Sequence, residues 1–302
     1  MSLQVKQFPL EEEYKKHSNI RPADIKKLRD WMKTQPHLPE EHITDLDLII
    51  AYHCCDRSME VTKQVLDLHY TFRTHSILFK NRHLYQNTLD NLKTVLPLPM
   101  KQRAHDGSAM LYARLIDYDV KNFNFCECIR SLEILVDMFQ FEEGTWPGFH
   151  LLVDLDQVTV SHLTRLDFET MQQTFFFLQE GMLLKIRGLH FLNAPSFMDR
   201  VMFLIKPFLK KHLMELLHIH QPGLKTLEQH LPVASLPSDA GGEGMSFEEA
   251  SSYIIQKVKD NRPFIEQEMK KRVDESRRPG KPKTISDIFG GIEGSFKKLE
   301  ID

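Results

Sequence analysis

Residues 181–220 constrain the fold more than any other stretch, because two strand-like segments there flank a long apolar segment. The first strand-like segment is Arg187–Asn193, which a proline-containing turn follows, and the second is Leu217–His220. The apolar residues between them, from Ser196 to about Leu216, have helical spacing. This order predicts a β-α-β unit whose two strands are parallel.

The predicted helix carries more apolar surface than a helix packed on a sheet needs. On a wheel of ~100° per residue its apolar side covers about half of the circumference and comprises Phe197, Val201, Met202, Leu204, Ile205, Phe208, Leu209 and Leu213. The opposite side comprises Arg200, Lys206, Lys210 and Lys211, with Phe203 and Met214. The broad apolar arc, with basic residues beside it, indicates that the helix contacts a cavity on one side and an anionic lipid surface on the other. A buried helix of an ordinary α/β domain with a solvated edge explains the same pattern.

Composition excludes several classes of protein. The 302 residues are 41% hydrophobic and 27% charged, as in soluble globular proteins of one or two domains. The net charge of −3 argues against a general nucleic-acid binder. The start lacks a signal-peptide core, and no run of ~18 apolar residues could span a membrane. Four cysteines match neither a disulfide framework nor zinc spacing, so we expect a reducing cytosolic setting: Cys54, Cys55, Cys126 and Cys128.

Residues 1–90 are predicted to form a helical subdomain. Pro22 lies in the first turn of one predicted helix, Thr44–Asp47 resembles a capping box, and Ser58 is a typical N-cap. The character of the sequence changes between residues 90 and 107, where the two prolines of Leu96–Pro99 interrupt the periodicity.

Residues 91–245 are predicted to form an α/β domain with a mainly parallel sheet. Met110–Ile116 and Phe149–Leu155 are further strands, and the near-continuous apolar run of the second is typical of strands buried on both faces. Cys126–Phe141 and Asp167–Met182 are the helices that alternate with them. Their many large apolar residues suit a solid core, and a hydrophobic ligand pocket would use the same residue types.

Residues 246–302 are predicted to form a C-terminal helix and an extended tail. Phe247–Lys270 has helical character that is interrupted near Pro263. Arg277–Lys283 is a basic stretch that we expect to be flexible. The end of the chain, from Asp287, either packs as an extended strap or is disordered.

No sequence motif indicates catalysis or metal binding. The chain has no P-loop, no dinucleotide-binding glycine motif and no nucleophile elbow. Asp154 and Asp156 share a strand face, but such a pair more often caps a turn than holds a metal. His190 is expected to be a hydrogen-bonded core residue, and His218 and His220 share a strand face with no Cys or carboxylate nearby to complete a site. We therefore expect no catalytic residue, no metal and no cofactor.

Several motifs occur in the order of a known family. Lys185–Pro195, with the sequence KIRGLHFLNAP, closely resembles its K-x-R-G-I-H-x-I-N-x-P core, and Ile205–Leu209 resembles its I-K-P-F-L segment. Val153–Asp156, Leu217–His220 and the later LP, LP and GGE motifs follow the same order. The chain thus resembles the CRAL-TRIO family, which includes α-tocopherol transfer protein and cellular retinaldehyde-binding protein.

The resemblance implies a helical N-terminal subdomain followed by a CRAL-TRIO domain, in which a mobile gate helix covers a hydrophobic pocket. It implies a cytoplasmic carrier that moves a lipophilic molecule between membranes, and we further expect a monomer that is not an enzyme, associates peripherally with membranes and binds no nucleic acid. Its ligand would be tocopherol-, retinoid- or carotenoid-like, and release would be coupled to phosphoinositide-containing membranes. There are three alternatives: a phosphoinositide-sensing module without soluble cargo, a phospholipid carrier, and a hydrolase that uses the Ser131 hydroxyl.

The family's pocket positions correspond to thirteen residues of this chain: Cys128, Ser131, Leu132, Leu135, Phe149, Val153, Val158, Leu166, Thr174, Phe177, Leu178, Met182 and Leu184. Leu135 stands where α-tocopherol transfer protein has a serine, and Val158 stands where it has a tryptophan. Both differences argue against tocopherol itself as the ligand.

The resemblance also implies two surface sites. Lys185 and Arg187 match family positions that bind phosphoinositides. The other two such positions are His212 and Leu216 here, and Lys210 and Lys211 could substitute for them. The membrane-docking positions of the gate helix correspond to Phe197, Val201 and Leu204.

Overall fold

The computed structural model describes residues 3–16, 19–80 and 85–289. Its N-terminal part is helical, with α1 (Leu10–Lys16), α2 (Pro22–Lys33), α3 (Asp45–Cys54), α4 (Met59–His75) and α5 (Tyr85–Asn91). Hydrogen bonds between side chains and the first turn fix two of these helix starts. The Asp47 N–H donates to Thr44 Oγ1 over 3.1 Å, and the Val61 N–H donates to Ser58 Oγ over 3.4 Å. Both predicted caps are confirmed, as is the helix that begins at Pro22.

The central region contains a five-stranded sheet with the order β1-β2-β3-β4-β5. Its strands are β1 (Val95–Pro99), β2 (Ala109–Leu115), β3 (Phe149–Asp154), β4 (Ile186–Leu192) and β5 (Leu217–Ile219). β2 to β5 pair in parallel, and β1 pairs antiparallel with β2. The four predicted strands and the predicted α/β class with a mainly parallel sheet are confirmed.

The prolines of Leu96–Pro99 were predicted to interrupt the periodicity, but these residues belong to β1, a strand that the prediction missed. Pro97 pairs with Ala113 and Pro99 pairs with Leu111. Proline has no N–H to donate, so it is confined to edge strands, where only one side of the backbone pairs with a neighbour. The two prolines therefore made this edge strand difficult to recognise from the sequence.

Three helices connect β2, β3 and β4: α6 (Phe125–Glu143), α7 (Val160–Leu163) and α8 (Phe168–Phe176). The predicted helix within α6 is confirmed. The second predicted helix, Asp167–Met182, is α-helical only as far as Phe176 and continues as a π-helical turn over Phe177–Gly181. Asp167 begins α8 by accepting a 2.8 Å hydrogen bond from the Thr170 N–H.

The prediction of one continuous helix from Ser196 to Leu216 is wrong. The structure has α9 (Met198–Ile205), a 3₁₀ turn over Lys206–Phe208 and α10 (Lys211–Glu215). Pro207 accounts for the break, because a proline inside a helix removes one hydrogen bond and clashes with the preceding turn. The wheel therefore describes only α9, whose Val201 and Ile205 are buried while Phe203 is 79% exposed.

The two faces of the sheet have different coverings. Successive side chains of a strand point to opposite faces, so Leu151 and Val153 of β3 share one face, which α6, α8 and α9 cover. Leu152 lies on the other face, where leucines of residues 221–246 pack against it. We call residues 221–246 the covering segment.

The C-terminal region packs against the rest of the molecule. It contains α11 (Phe247–Asp260) and α12 (Arg262–Glu268), which confirms the predicted interruption near Pro263. Arg277–Lys283 was expected to be flexible, but Arg278 donates to Asp67 of α4 over 2.7 Å and its side chain is only 6% exposed. This ion pair, which the sequence does not reveal, holds the stretch in place. Most of the predicted strap, residues 290–302, lies outside the described residues.

Candidate ligand-binding cavity

An apolar cavity of about 230 Å³ lies between one face of the sheet and the helices that cover it. The strands contribute its floor: Ala113, Leu115, Leu151, Val153, Leu189 and Phe191. The helices contribute its walls: Cys128, Ile129, Leu132, Met171, Thr174, Phe175 and Leu178. Val201 and Ile205 of α9 line it from above. Leu151 and Val153 are only half-buried although β3 is a central strand, because their side chains border this space.

Few polar groups line the cavity, and most of them are already bonded. Asp154 accepts hydrogen bonds from Asn193 over 2.8 Å and from Arg114 over 3.4 Å. Burial raises the pKa of Cys128 to about 12, so this thiol stays neutral at physiological pH. Thr174 differs from these residues, because its hydroxyl oxygen is buried and has no hydrogen-bond partner among the described residues. The Nε2 atom of His162, another lining residue, is likewise buried without a partner among the described residues, so the cavity suits an apolar molecule that offers few polar groups.

Seven of the thirteen predicted pocket residues line this cavity: Cys128, Leu132, Val153, Val158, Leu166, Thr174 and Leu178. The other six are not among its lining residues: Ser131, Leu135, Phe149, Phe177, Met182 and Leu184. Ser131 accepts a 2.9 Å hydrogen bond from Asn91. Phe177 stacks on Phe72 of α4, with ring centroids 4.8 Å apart, so it belongs to the aromatic core beside the cavity.

Further lining residues were missing from the prediction, including Met171, Leu189 and Phe191. Two of them carried a usable signal. Leu189 and Phe191 are two residues apart on a strand, so they share a face, and Phe191 pairs directly with Val153. Because Val153 was assigned to the pocket and parallel strands pair side by side, the sequence could have predicted that Leu189 and Phe191 also face the pocket.

The predicted phosphoinositide-binding residues divide into two groups. Lys185 forms an ion pair with Asp56, and Lys210 lies 2.6 Å from Glu180. Arg187, Lys211 and His212 are exposed and form no ion pair within the described ranges.

Topology places these three exposed residues at one edge of the sheet. Arg187 is the second residue of β4, and α10, which contains Lys211 and His212, leads into β5. Leu189 pairs with Leu217, so the amino ends of β4 and β5 lie side by side. The chain thus has a basic edge, defined as Arg187, Lys211 and His212.

The predicted membrane-docking residues lie at or next to α9. Phe197 and Leu204 are half-buried, whereas Val201 is buried and lines the cavity. Among the described residues, the most exposed large apolar side chains are Phe203 of α9, which is 79% exposed, and Phe168 of α8, which is 63% exposed. The wheel had assigned Phe203 to the basic side of the helix, so one helix offers an exposed phenylalanine outside and apolar side chains inside.

The structure combines a mainly parallel α/β sheet with an apolar cavity under a short helix, an arrangement that is typical of ligand-binding proteins. The sequence profile described as "CRAL/TRIO domain" matches residues 95–242, and the profile described as "Pinta-like, UBA domain" matches residues 17–89. The chain belongs to the CRAL-TRIO family of lipid-binding proteins, as its motifs predicted.

Similar proteins include Clavesin-1 of Pongo abelii, 23% identical over 239 residues that cover 76% of this chain and 66% of that protein. Clavesin-2 of Homo sapiens is 22% identical over 231 residues, which cover 72% of this chain and 68% of that protein. The chain thus spans slightly less than two thirds of the length of Clavesin-1. A solved structure titled "Crystal structure of Sfh5" has a TM-score of 0.43 and 15% identity, over 79% of this chain and 98% of that one. Within residues 3–16, 19–80 and 85–289, no helix has the length and apolar character to cross a bilayer.

Proposed function

We propose that this protein is a non-catalytic carrier that holds one lipophilic molecule in its cavity and moves it between membranes. The apolar cavity beneath α9 carries this proposal. Removing apolar surface from water contributes about 25 cal/mol per Å², so burying roughly 400 Å² of ligand favours binding by on the order of 10 kcal/mol before ordering costs. A ligand held this strongly leaves slowly unless the cavity opens.

α9 is the element we expect to open. It lies between the turn at residues 193–197 and the 3₁₀ turn over Lys206–Phe208, neither of which belongs to the sheet, so we expect it to move without disturbing the strands. Ligand pockets commonly have volumes of about 300–1,000 Å³, whereas this cavity has about 230 Å³. A ligand of tocopherol, retinoid or carotenoid size therefore requires outward movement of α9, and the unpartnered Thr174 hydroxyl suits a ligand with a hydroxyl or carbonyl group.

Membrane contact would couple this movement to release. The exposed side chain of Phe203 is suited to enter the lipid surface, and the basic edge is suited to bind phosphoinositide headgroups. Each Lys or Arg near an anionic surface contributes about 1 kcal/mol. We accordingly propose a cytoplasmic monomer that docks peripherally on anionic membranes.

Organic extraction of the purified protein, followed by mass spectrometry of the extract, tests the proposal. We expect one lipophilic molecule per chain, with a hydroxyl or carbonyl group. Protein stripped of lipid should take up retinol or a similar lipophile in a one-to-one ratio. If no lipid co-purifies and the stripped protein binds none, the carrier function is wrong.

A phosphoinositide-sensing module without soluble cargo, or a phospholipid carrier, is the second candidate function, and the basic edge favours it. Vesicle sedimentation distinguishes the two from the first proposal. A sensing module binds phosphoinositide vesicles equally well with and without a lipophile in the cavity, whereas a carrier loses its lipophile on contact. A phospholipid carrier would yield a phospholipid on extraction.

A further inference from the structure

Five histidines gather on the face of the sheet opposite the cavity. His150 lies on β3, His190 on β4, His218 on β5, and His220 directly after β5. His230 reaches the same place from the covering segment, and its ring centroid is 4.3 Å from that of His218. The proposed carrier function uses none of them.

Three of these histidines form one hydrogen-bonded chain across the strands. His150 Nδ1 lies 2.9 Å from His190 Nε2, and His190 Nδ1 lies 3.0 Å from His220 Nε2. The chain ends at Asp106, 3.3 Å from His150 Nε2, and at Thr226, whose hydroxyl lies 2.8 Å from His220 Nδ1. The Asp106 carboxylate only accepts, so each neutral ring must carry its proton on Nε2 and accept at Nδ1.

Gly188 makes room for this chain. A Cβ atom at position 188 would lie 2.3 Å from His190 Nε2 and 2.4 Å from His150 Nδ1. Real Cβ atoms do not approach other atoms so closely, and both histidines are buried. A side chain at position 188 would therefore displace one or both rings, so Gly188 is required for the His150–His190 hydrogen bond.

The remaining two histidines stand beside His190 without joining the chain. The ring centroid of His218 is 4.8 Å from that of His190, and the ring centroid of His230 is 4.9 Å from it. One ring nitrogen from each of the three lies within 4.8 Å of the corresponding nitrogens of the other two. His190 is fully buried, while His218 and His230 are half-buried, so the group is reachable from solvent on one side.

We propose that His190, His218 and His230 bind one divalent transition-metal ion of the Zn²⁺ class. Imidazole suits Zn²⁺, Cu²⁺ and Ni²⁺, whereas Mg²⁺ and Ca²⁺ prefer oxygen ligands. Zn–N bonds of 2.0–2.1 Å in tetrahedral geometry put ligand nitrogens roughly 3.3 Å apart. The half-buried rings of His218 and His230 must therefore turn inward by about an ångström, and a water completes the coordination.

The hydrogen-bonded chain supplies the support that such a site needs. A metal-bound histidine usually donates its other ring N–H to a carboxylate, a carbonyl or water, which fixes the ring. In the chain, the lone pair of His190 is at Nδ1, so an ion bound there replaces the N–H of His220, and the His220 ring must turn away from His190. The Nε2–H of His190 still donates to His150, which in turn donates to Asp106.

The three ligands come from two different layers. His190 and His218 belong to the sheet, and His230 belongs to the covering segment. A bound ion therefore ties the covering segment to the sheet on the face opposite the cavity. Metal binding should raise the thermal stability of the protein and leave lipid loading unchanged, so this site can fail without affecting the proposed carrier function.

Zinc titration of protein without a polyhistidine tag, after treatment with a chelator, tests the site. We expect one equivalent of Zn²⁺ to bind, with an increase in Tm, and no uptake of Mg²⁺. His218→Ala and His230→Ala should each weaken Zn²⁺ binding by roughly tenfold or more. His42→Ala is the matched control, because His42 is a partly exposed histidine of the N-terminal helical region, and it should bind Zn²⁺ like the parent.

Cobalt absorption provides a second measurement. Co²⁺ bound to the parent should give the intense visible bands of tetrahedral coordination, and His230→Gln should abolish them while circular dichroism shows an unchanged fold. His230→Gln also replaces the alanine variants if they do not fold. The proposal is overturned if the parent binds no stoichiometric Zn²⁺, or if the folded variants bind it as tightly as the parent.

Discussion

Within β4, Leu189 and Phe191 line the cavity, whereas His190, which lies between them, belongs to the histidine cluster on the other face. The cavity face uses apolar side chains whose contacts have no preferred direction, so a space there can change its volume. The histidine face uses hydrogen bonds of 2.9–3.0 Å, which hold rings in one geometry. One sheet thus combines an adaptable face with a fixed face, because strand side chains alternate.

The largest expected effect comes from adding volume to each face in turn. Val153 borders the cavity, so Val153→Phe fills the space that a ligand needs and should abolish lipophile binding without loss of stability. Leu152, the adjacent residue, is fully buried in the packing of the other face. Leu152→Phe should cost about 1–3 kcal/mol of unfolding free energy, because overpacking a filled core is destabilising, and should leave binding intact.

Displacement of a fluorescent lipophile and urea unfolding measure these two effects. Each variant serves as the control for the other. The claim that one face has free space and the other is filled is wrong if Val153→Phe still binds ligand, or if the two variants lose equal stability.

A smaller effect is expected from the basic edge, which lies at the amino ends of β4 and β5. Arg187→Ala combined with Lys211→Ala should weaken binding to phosphoinositide vesicles by roughly 30-fold, since each charge contributes about 1 kcal/mol. Ligand loading should not change. The matched control is Lys26→Ala with Lys63→Ala, which removes the same charge from α2 and α4.

Vesicle flotation at two salt concentrations measures this effect, and high salt should reduce it. Equal vesicle binding by the double variant and the parent would show that the basic edge has no part in membrane docking.

A third prediction concerns Asp67 of α4, which pairs with Arg278 and Lys283 of the C-terminal region and lies on neither face of the sheet. Burial would raise the pKa of Asp67, but hydrogen bonds from Lys283, His37 and Arg278 outweigh it and lower the pKa from 3.8 to about 2. A lowered pKa means that Asp67 contributes stability above pH 3.8 and that this contribution is lost as the pH falls towards 2.

Asp67→Asn should therefore cost about 1–2 kcal/mol at pH 7, after discounting for solvent screening. The difference between variant and parent should shrink as the pH falls below 3.8. Urea unfolding across this pH range measures it, and a difference that is constant with pH would contradict the assignment. Lipophile binding by the folded variant should equal that of the parent.

The smallest expected effect concerns the Thr174 hydroxyl at the cavity, which has no hydrogen-bond partner in the part of the chain that the structure describes. Thr174→Val keeps the shape of the side chain and removes the hydroxyl, so it should weaken binding of a hydroxylated lipophile by about fivefold, or ~1 kcal/mol. Binding of the corresponding hydrocarbon should not weaken. Titration with both ligands measures the difference, and equal effects on the two would exclude a hydrogen bond from Thr174.

The sequence predicted the sheet because each parallel strand is a short apolar run between helices, a signal that is local. It did not predict β1 or the break in the gate helix, because in both places a proline has an effect that depends on neighbours. Pro97 and Pro99 are tolerated only because β1 is an edge strand, and Pro207 ends α9 within a segment whose apolar pattern continues.

The residues of the candidate sites were likewise predicted only where the signal is local in the sequence. Resemblance located the cavity but not which side of each helix faces it: Leu132 lines the cavity, while the adjacent Ser131 bonds to Asn91. The rotation of a helix about its axis depends on its packing partners, which sequence periodicity specifies only approximately. The histidine cluster was missed because His150, His190 and His230 are far apart in the chain and meet only in the folded sheet.

Native mass spectrometry of the parent protein and of Val153→Phe tests the central claim most directly. Both proteins would be exposed to the same mixture of lipophiles and then separated from unbound lipid. The carrier account predicts one bound lipophile on the parent and none on the variant. Identical spectra for the two folded proteins, with or without bound lipid, would contradict it.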